Sequence, residues 1–310
     1  MDPAPVGSIR GNVRTWCAVF LLASSALLAQ DEKPLQVLPG ELVRQTVAQE
    51  VAAANRSDAK HMFVSHKKSA KGNQARIYVE TTEAMAAMLI AIDDQPLSPQ
   101  QHQAELDHLN WLMSSPEQLR KKHAREKEDA DRTLRIVKAL PDAFRYEYAG
   151  TQAGDANVGK AGDTLIRLKF TPNPSYTPPS RVEQVLQGMQ GYLLVDPAEH
   201  RIARIDGTLF RDVNFGWGII GHLDKGGRFF VQQADVGEGC WELTAMSLNI
   251  TGKILFFKGI SMISNETFSD FTHIPADTTF AKGVDMLKAE QEKLAHLKDP
   301  EPADTRKIPQ

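Results

Sequence analysis

The stretch most suggestive of chemistry is Gly216-Trp-Gly-Ile-Ile-Gly221, a formal match to the G-x-G-x-x-G pattern of dinucleotide-binding folds. In a true nucleotide site this pattern follows a strand and opens a helix, whose N-terminus binds the pyrophosphate. Here it runs into Asp224-Lys-Gly-Gly227, a turn sequence. We therefore predict one strand over residues 212–223, in which the glycines let the sheet bend, and no bound nucleotide.

Three potential metal ligands, His102, Glu105 and His108, recur every three residues along a predicted helix. The spacing of the two histidines matches no zinc signature, so a polar helix surface explains them better than a metal site. The chain also has no G-x-S-x-G, H-E-x-x-H, Walker or C-x-x-C motif. We therefore expect a protein that is not an enzyme and that uses neither a metal nor a cofactor.

The first 29 residues are typical of a secretory signal peptide, with Arg10 and Arg14 ahead of an apolar run that ends at Ala29. Its cleavage would remove Cys17 and leave Cys240, which cannot form an internal disulfide alone. No cysteine follows the apolar run to accept a lipid. The end of the apolar run, ALLAQ, is typical of bacterial signal peptides. We therefore expect an exported protein that is soluble in the periplasm after cleavage.

Charge and composition narrow the class of partner. The net charge of −3 and the pI of about 6.3 provide no basic face for nucleic acid. A hydrophobic fraction of 42% is enough for a packed core. The charge run over residues 120–132 is typical of a solvated helix face, although an interaction arm is the alternative.

Periodicity predicts the order of the elements. A helix over residues 41–55 precedes three short strands, and two helices fill residues 98–139, each opened by a Ser-Pro pair. From residue 144 onward, strands follow at short spacing with no long helix between them, which indicates an antiparallel meander. Breaks are predicted at residues 196–197, 224–227, 237–239 and 249–252, and the last two strands are predicted at residues 253–261 and 265–274. A polar tail from residue 284 is predicted to form one helix to residue 298 and then to be disordered.

Two segments carry a family resemblance. The run GYLLVDPAEHRIARIDGTL (191–209) resembles the paired strands of periplasmic lipoprotein carriers and sensors of the LolA, LolB and RseB type. The run GKILFFKGISMISNETFSDF (252–271) resembles their closing strands. The chain also resembles exported bacterial proteins of unassigned function that share the pattern FGWGIIGHLDKGGRF.

The resemblance implies an α+β fold, a strongly curved antiparallel sheet that forms an incomplete barrel covered by helices. It assigns residues 30–283 to one such domain with a helical insertion at 98–139, followed by the tail at 284–310. It implies a non-enzymatic carrier whose concave face holds lipid or the acyl chains of a lipidated protein. Side chains alternate between the two faces of each strand, and this alternation predicts the residues that line the concave face: Phe215, Trp217, Ile219, Phe229, Val231, Trp241 and Leu243.

Three alternatives stay open. The predicted lining residues could instead form an ordinary filled core, which is the default for apolar residues on one strand face. The protein could be an envelope structural or signalling module that binds another protein through its charged helix over residues 116–139. It could also be a hydrolase with an unrecognised site, which clustered carboxylates of perturbed pKa or a histidine pair would favour.

Overall fold

A computed structural model describes residues 37–56, 59–216, 220–254 and 258–298. The predicted signal peptide and the end of the predicted tail lie outside these residues. Within them the helices are α1 (Pro39–Ala54), α2 (Pro99–Ser114), α3 (Pro116–Ala143), α4 (Arg181–Gln184) and α5 (Phe280–Lys298). The first strands are β1 (Lys60–Ser69), β2 (Gly72–Val79), β3 (Ala86–Ile92), β4 (Gln95–Pro96), β5 (Phe144–Ala153) and β6 (Thr164–Pro172). The remaining strands are β7 (Met189–Asp196), β8 (Arg201–Leu209), β9 (Val213–Phe215), β10 (Gly221–Leu223), β11 (Arg228–Asp235), β12 (Trp241–Ile254) and β13 (Lys258–Ile274).

All thirteen described strands belong to one antiparallel sheet, in the order β4-β3-β2-β1-β13-β12-β11-β8-β7-β6-β5, with the β9–β10 hairpin attached to β12. The two end strands do not pair with each other, so the sheet is open rather than closed into a barrel. The prediction of an α+β fold with an open, curved antiparallel sheet and covering helices is confirmed.

Two apolar clusters form the core on this sheet. The larger one joins α1 and the end of α3 to strands β6, β7 and β8 through residues such as Val43, Leu168 and Leu193. The second joins β2 and β3 to α2 and α5, with Ile77, Leu109 and Leu287 fully buried. Helix α5 begins at Phe280, earlier than the predicted residue 284, and its apolar side packs into this second cluster.

The helical insertion follows its predicted start signals. Ser98 accepts a hydrogen bond from the backbone N–H of Gln101, and the Gln101 side chain accepts one from Ser98 in return, which completes a capping box at α2. Pro116 occupies the first turn of α3, but the Ser115 side chain makes no capping hydrogen bond there. Because these devices act within four residues, the sequence alone locates both helices.

Three strand predictions were wrong. Residues 212–223 form two short strands rather than one, because the chain turns back at Gly216, where φ is +55°, and Phe215 pairs with Gly221. The predicted break at residues 249–252 does not exist, since β12 runs through it. Strands predicted at 253–261 and 265–274 are instead the end of β12 and a single long β13. Long-range pairing overrides local turn preference in each case.

Candidate functional site

An apolar cavity of about 510 Å³ lies between the sheet and helix α3. Its floor comes from strands β5, β6, β7, β8, β11 and β12, and its walls come from α3 and from residues 182–186. Among the described lining residues Arg132 is the one that is charged, and most of the others are aliphatic or aromatic. The lining residues are Arg132, Thr133, Ile136, Leu140, Phe144, Tyr146, Phe170, Val182, Val185, Leu186, Met189, Leu193, Ile205, Phe229, Phe230, Val231, Met246, Ser247, Leu248 and Ile250.

Strand register builds the floor of this cavity. One row of paired residues crosses five neighbouring strands without a polar side chain: Leu168, Leu193, Ile205, Val231 and Met246. Residues paired across antiparallel strands project from the same face, so this row is continuous. Val231 occupies its centre within the cavity lining, with Ile205 on one side and Met246 on the other.

The next row contains two glycines, Gly191 and Gly207, between Phe170 and Phe229. A Cβ atom on Gly207 would lie 2.1 Å from the Phe229 ring, and one on Gly191 would lie 2.0 Å from the Asp206 carbonyl oxygen. The Phe229 ring therefore occupies the space that a side chain at Gly207 would need. These two glycines permit the Phe229 ring and the backbone of β8 to approach the cavity floor closely.

Helix α3 contributes one stripe to the cavity, from Arg132, Thr133, Ile136 and Leu140. Its last turn is held by side chains from the sheet and the following loop, because helix ends leave carbonyl groups without partners. The Tyr146 hydroxyl donates to the Leu140 carbonyl at 2.8 Å. The Asn173 side chain donates to the Asp142 carbonyl at 2.9 Å, and its backbone N–H donates to the Ala143 carbonyl.

Tyr146 lines the cavity, and its hydroxyl hydrogen is used in the hydrogen bond to the Leu140 carbonyl. Burial raises the pKa of Tyr146 far above its ordinary value, and the nearby Asp142 adds to the effect. The phenol therefore stays neutral, and the aromatic ring presents an apolar surface to the cavity.

The structure brings only part of the predicted lining together. Phe229 and Val231 line the cavity. Phe215 is half-buried against the larger core cluster but does not line the cavity, and Leu243 is half-buried opposite Gln233. Trp241 packs instead into a third cluster, with Val158, Leu165, Leu194 and Ala203. Trp217 and Ile219 lie outside the described residues.

A bulge in β12 explains why the alternation of side chains along this strand did not predict its cavity-lining residues. The pairing with β11 shifts between Gln232 and Gln233, which leaves Thr244 as an extra residue in β12. Beyond the bulge the even-numbered residues Met246, Leu248 and Ile250 face the cavity. No local sequence signal marks this bulge, so alternation counted from Trp241 selects the opposite face.

A second site contains polar residues that are distant in sequence. His61 on β1, Glu80 directly after β2 and Glu242 on β12 place ligand atoms within 4.8 Å of one another. His61 Nδ1 is 3.1 Å from Glu242 Oε1 and 4.0 Å from Glu80 Oε2. The backbone N–H of His61 donates to Glu80 Oε2 at 2.8 Å.

Burial shifts the pKa values of this cluster toward neutral forms. Burial, together with the nearby Glu80 charge, raises the pKa of Glu242 to about 7, and Arg201 opposes the shift. Burial also raises the pKa of Glu80, against the His61 backbone N–H and Lys60. Burial and the neighbouring His273 lower the pKa of His61.

The other sequence candidates do not converge. His102 pairs with Gln291, Glu105 accepts from the backbone N–H of Leu89, and His108 stacks on Trp111. The charges of α3 form ion pairs within the helix, such as Lys121 with Glu117 and Lys127 with Asp131. The Gly216–Gly221 motif is followed by strand β10 rather than a helix, so it lacks the helix N-terminus of a nucleotide site.

Comparison with known proteins finds limited likeness. No protein-family model and no curated protein sequence matches the chain. A solved putative outer membrane lipoprotein-sorting protein domain from Vibrio parahaemolyticus is 11% identical, covering 79% of this chain and 97% of that one, with a TM-score of 0.31. A DUF1329 family protein from Desulfovibrio piger is 10% identical, covering 76% of this chain and 94% of that one, with a TM-score of 0.28. Among the described helices, none combines the length and the apolar character needed to cross a membrane.

Proposed function

We propose that this protein is a non-enzymatic carrier that binds the acyl chains of a lipid or a lipidated protein in the cavity under α3. The apolar cavity of about 510 Å³ carries the proposal. Its volume falls among those of ligand pockets, which span roughly 300–1,000 Å³.

The lining suits an acyl chain better than a polar ligand. Tyr146 has its hydroxyl committed to the Leu140 carbonyl. Arg132, the charged lining residue, is already paired with Glu128 and Asp129. Affinity would therefore come from burying methylene groups, at about 0.8 kcal/mol each.

The cellular setting belongs to the same proposal. The predicted signal peptide supports export, and its bacterial type of ending, ALLAQ, supports a location in the periplasm. In that compartment an acyl chain needs a protein shield from water, because its exposed methylene groups are costly. The donor and the acceptor of the chain would be lipids or lipidated proteins of the envelope.

Lipid extraction tests the proposal directly. We would isolate the protein from an envelope fraction without detergent and analyse its organic extract by mass spectrometry. We would then measure displacement of a fluorescent fatty acid from the delipidated protein. We expect acyl lipid in the extract and saturable displacement. A clean extract together with no binding of the fluorescent fatty acid would contradict the proposal.

A further inference from the structure

The cluster of His61, Glu80 and Glu242 belongs to none of the three apolar core clusters, and none of its residues lines the cavity. In the sheet, β13 lies between β1 and β12. The β1–β13 register is irregular between Met62 and Val64, near Asp270, whose φ is +57°. This irregularity accompanies the approach of the start of β12 to the start of β1. An inference about this cluster is therefore independent of acyl-chain binding.

The spacing of the ligand atoms fits a small metal ion. Two bonds of about 2.1 Å at a tetrahedral angle place neighbouring ligand atoms about 3.4 Å apart. The two distances from His61 Nδ1, 3.1 Å and 4.0 Å, lie on either side of that value. The three ligand atoms, one from each side chain, all lie within 4.8 Å of one another.

An unsatisfied nitrogen points into the cluster. His61 is only 4% exposed, and its Nδ1 atom has no hydrogen-bond partner in the part of the chain that the structure describes. Glu242 Oε1 is the near neighbour at 3.1 Å, but the geometry is not that of a hydrogen bond. A buried ring nitrogen without a partner is costly, and a metal ion would use its lone pair.

Arg201 does not replace a metal ion. The Arg201 charge lowers the pKa of Glu242. However, the Arg201 guanidinium donates two hydrogen bonds to the Glu50 carboxylate, at 3.0 and 3.2 Å. Its charge is therefore shared with a third carboxylate. Glu80 and Glu242 remain adjacent, and each side chain is 28% exposed, so an ion can reach them from solvent.

We propose that His61, Glu80 and Glu242 bind one divalent transition-metal ion of the zinc class. Imidazole nitrogen favours zinc and its neighbours over magnesium and calcium, which prefer oxygen ligands alone. Three protein ligands leave a fourth position for water, as in open zinc sites. The ion would link the start of β1, the end of β2 and the start of β12.

Metal titration of the full mature chain tests this. The protein is stripped with chelator and titrated with Zn²⁺ by calorimetry, with stoichiometry checked by elemental analysis and distances by X-ray absorption. We expect one ion per chain, with Zn–N and Zn–O distances of about 2.0–2.2 Å. The variants His61→Gln, Glu80→Gln and Glu242→Gln should each lower the affinity by about 100-fold or more, beyond the 10–100-fold cost of losing an outer-shell partner.

Matched controls lie on exposed positions of two strands, one that contains His61 and one at the far end of the sheet. His66→Gln changes an exposed histidine on β1, and Glu147→Gln changes an exposed carboxylate on β5. Both should bind Zn²⁺ as the parent protein does. Absence of one-to-one binding overturns the proposal, as does equal binding by Glu242→Gln and Glu147→Gln. If His61→Gln fails to fold, the two glutamate variants decide the result, since glutamine preserves side-chain size.

Discussion

Substituting Val231 by tryptophan should block the cavity from its floor. Val231 is the centre of the apolar row, between Ile205 and Met246, and its side chain borders the empty space rather than another packed layer. A tryptophan there would take the volume of several ligand methylene groups. Displacing three of them costs on the order of 2 kcal/mol, or about 30-fold in Kd.

The assay is a chain-length series of fatty acids competing with a fluorescent analogue. For the parent protein, affinity should rise about fourfold per methylene group until the cavity is full, since each is worth about 0.8 kcal/mol. For Val231→Trp the rise should end at a shorter chain. Arg228→Trp, an exposed change on the same strand, should match the parent protein.

Two results would refute the reasoning. One is an unchanged chain-length limit in a folded Val231→Trp protein, which would place the ligand elsewhere. The other is an affinity that does not depend on chain length in the parent protein, which would remove the hydrophobic mechanism. If Val231→Trp proves unstable in a thermal melt, Met246→Trp tests the same row from the neighbouring strand.

Three further predictions concern stability. Glu50→Ala should lower the free energy of unfolding by about 3–5 kcal/mol in urea titrations, because it removes the bidentate partner of Arg201 at a place where both side chains are only 11% exposed; a milder loss in Glu50→Ala/Arg201→Met would confirm that cause. Asn173→Ala should cost about 1 kcal/mol in the same assay, through the lost bond to the Asp142 carbonyl at the end of α3, and no change would mean that the backbone bond suffices. In metal-free protein, Glu242→Gln should gain stability over the parent as pH rises. Because folding raises the pKa of Glu242 to about 7, the parent's contribution is complete below about pH 4.5 and lost by about pH 7, a difference of about 3 kcal/mol. Parallel pH profiles for the two proteins would contradict this result.

Local chemistry determined much of this protein from sequence alone. The Ser98 capping box, the proline at the start of α3 and the Asp224–Gly227 turn act over a few residues, so each was predicted where it occurs. Alternation also identified Phe229 and Val231, which line the cavity, since β11 is regular up to Gln232. The antiparallel sheet followed from short strands without long helices between them, and its open, curved form from the family resemblance.

Only the tertiary structure decided the remainder. The bulge at Thr244 changes which residues of β12 face the cavity, and its position depends on pairing with β11 rather than on local preference. The Gly216–Gly221 motif became a hairpin because β9 pairs with β10, and β10 with β12. His61, Glu80 and Glu242 carry no shared spacing in sequence, and their meeting depends on a strand order in which β13 lies between β1 and β12. Such contacts join distant segments, so no short window of sequence contains them.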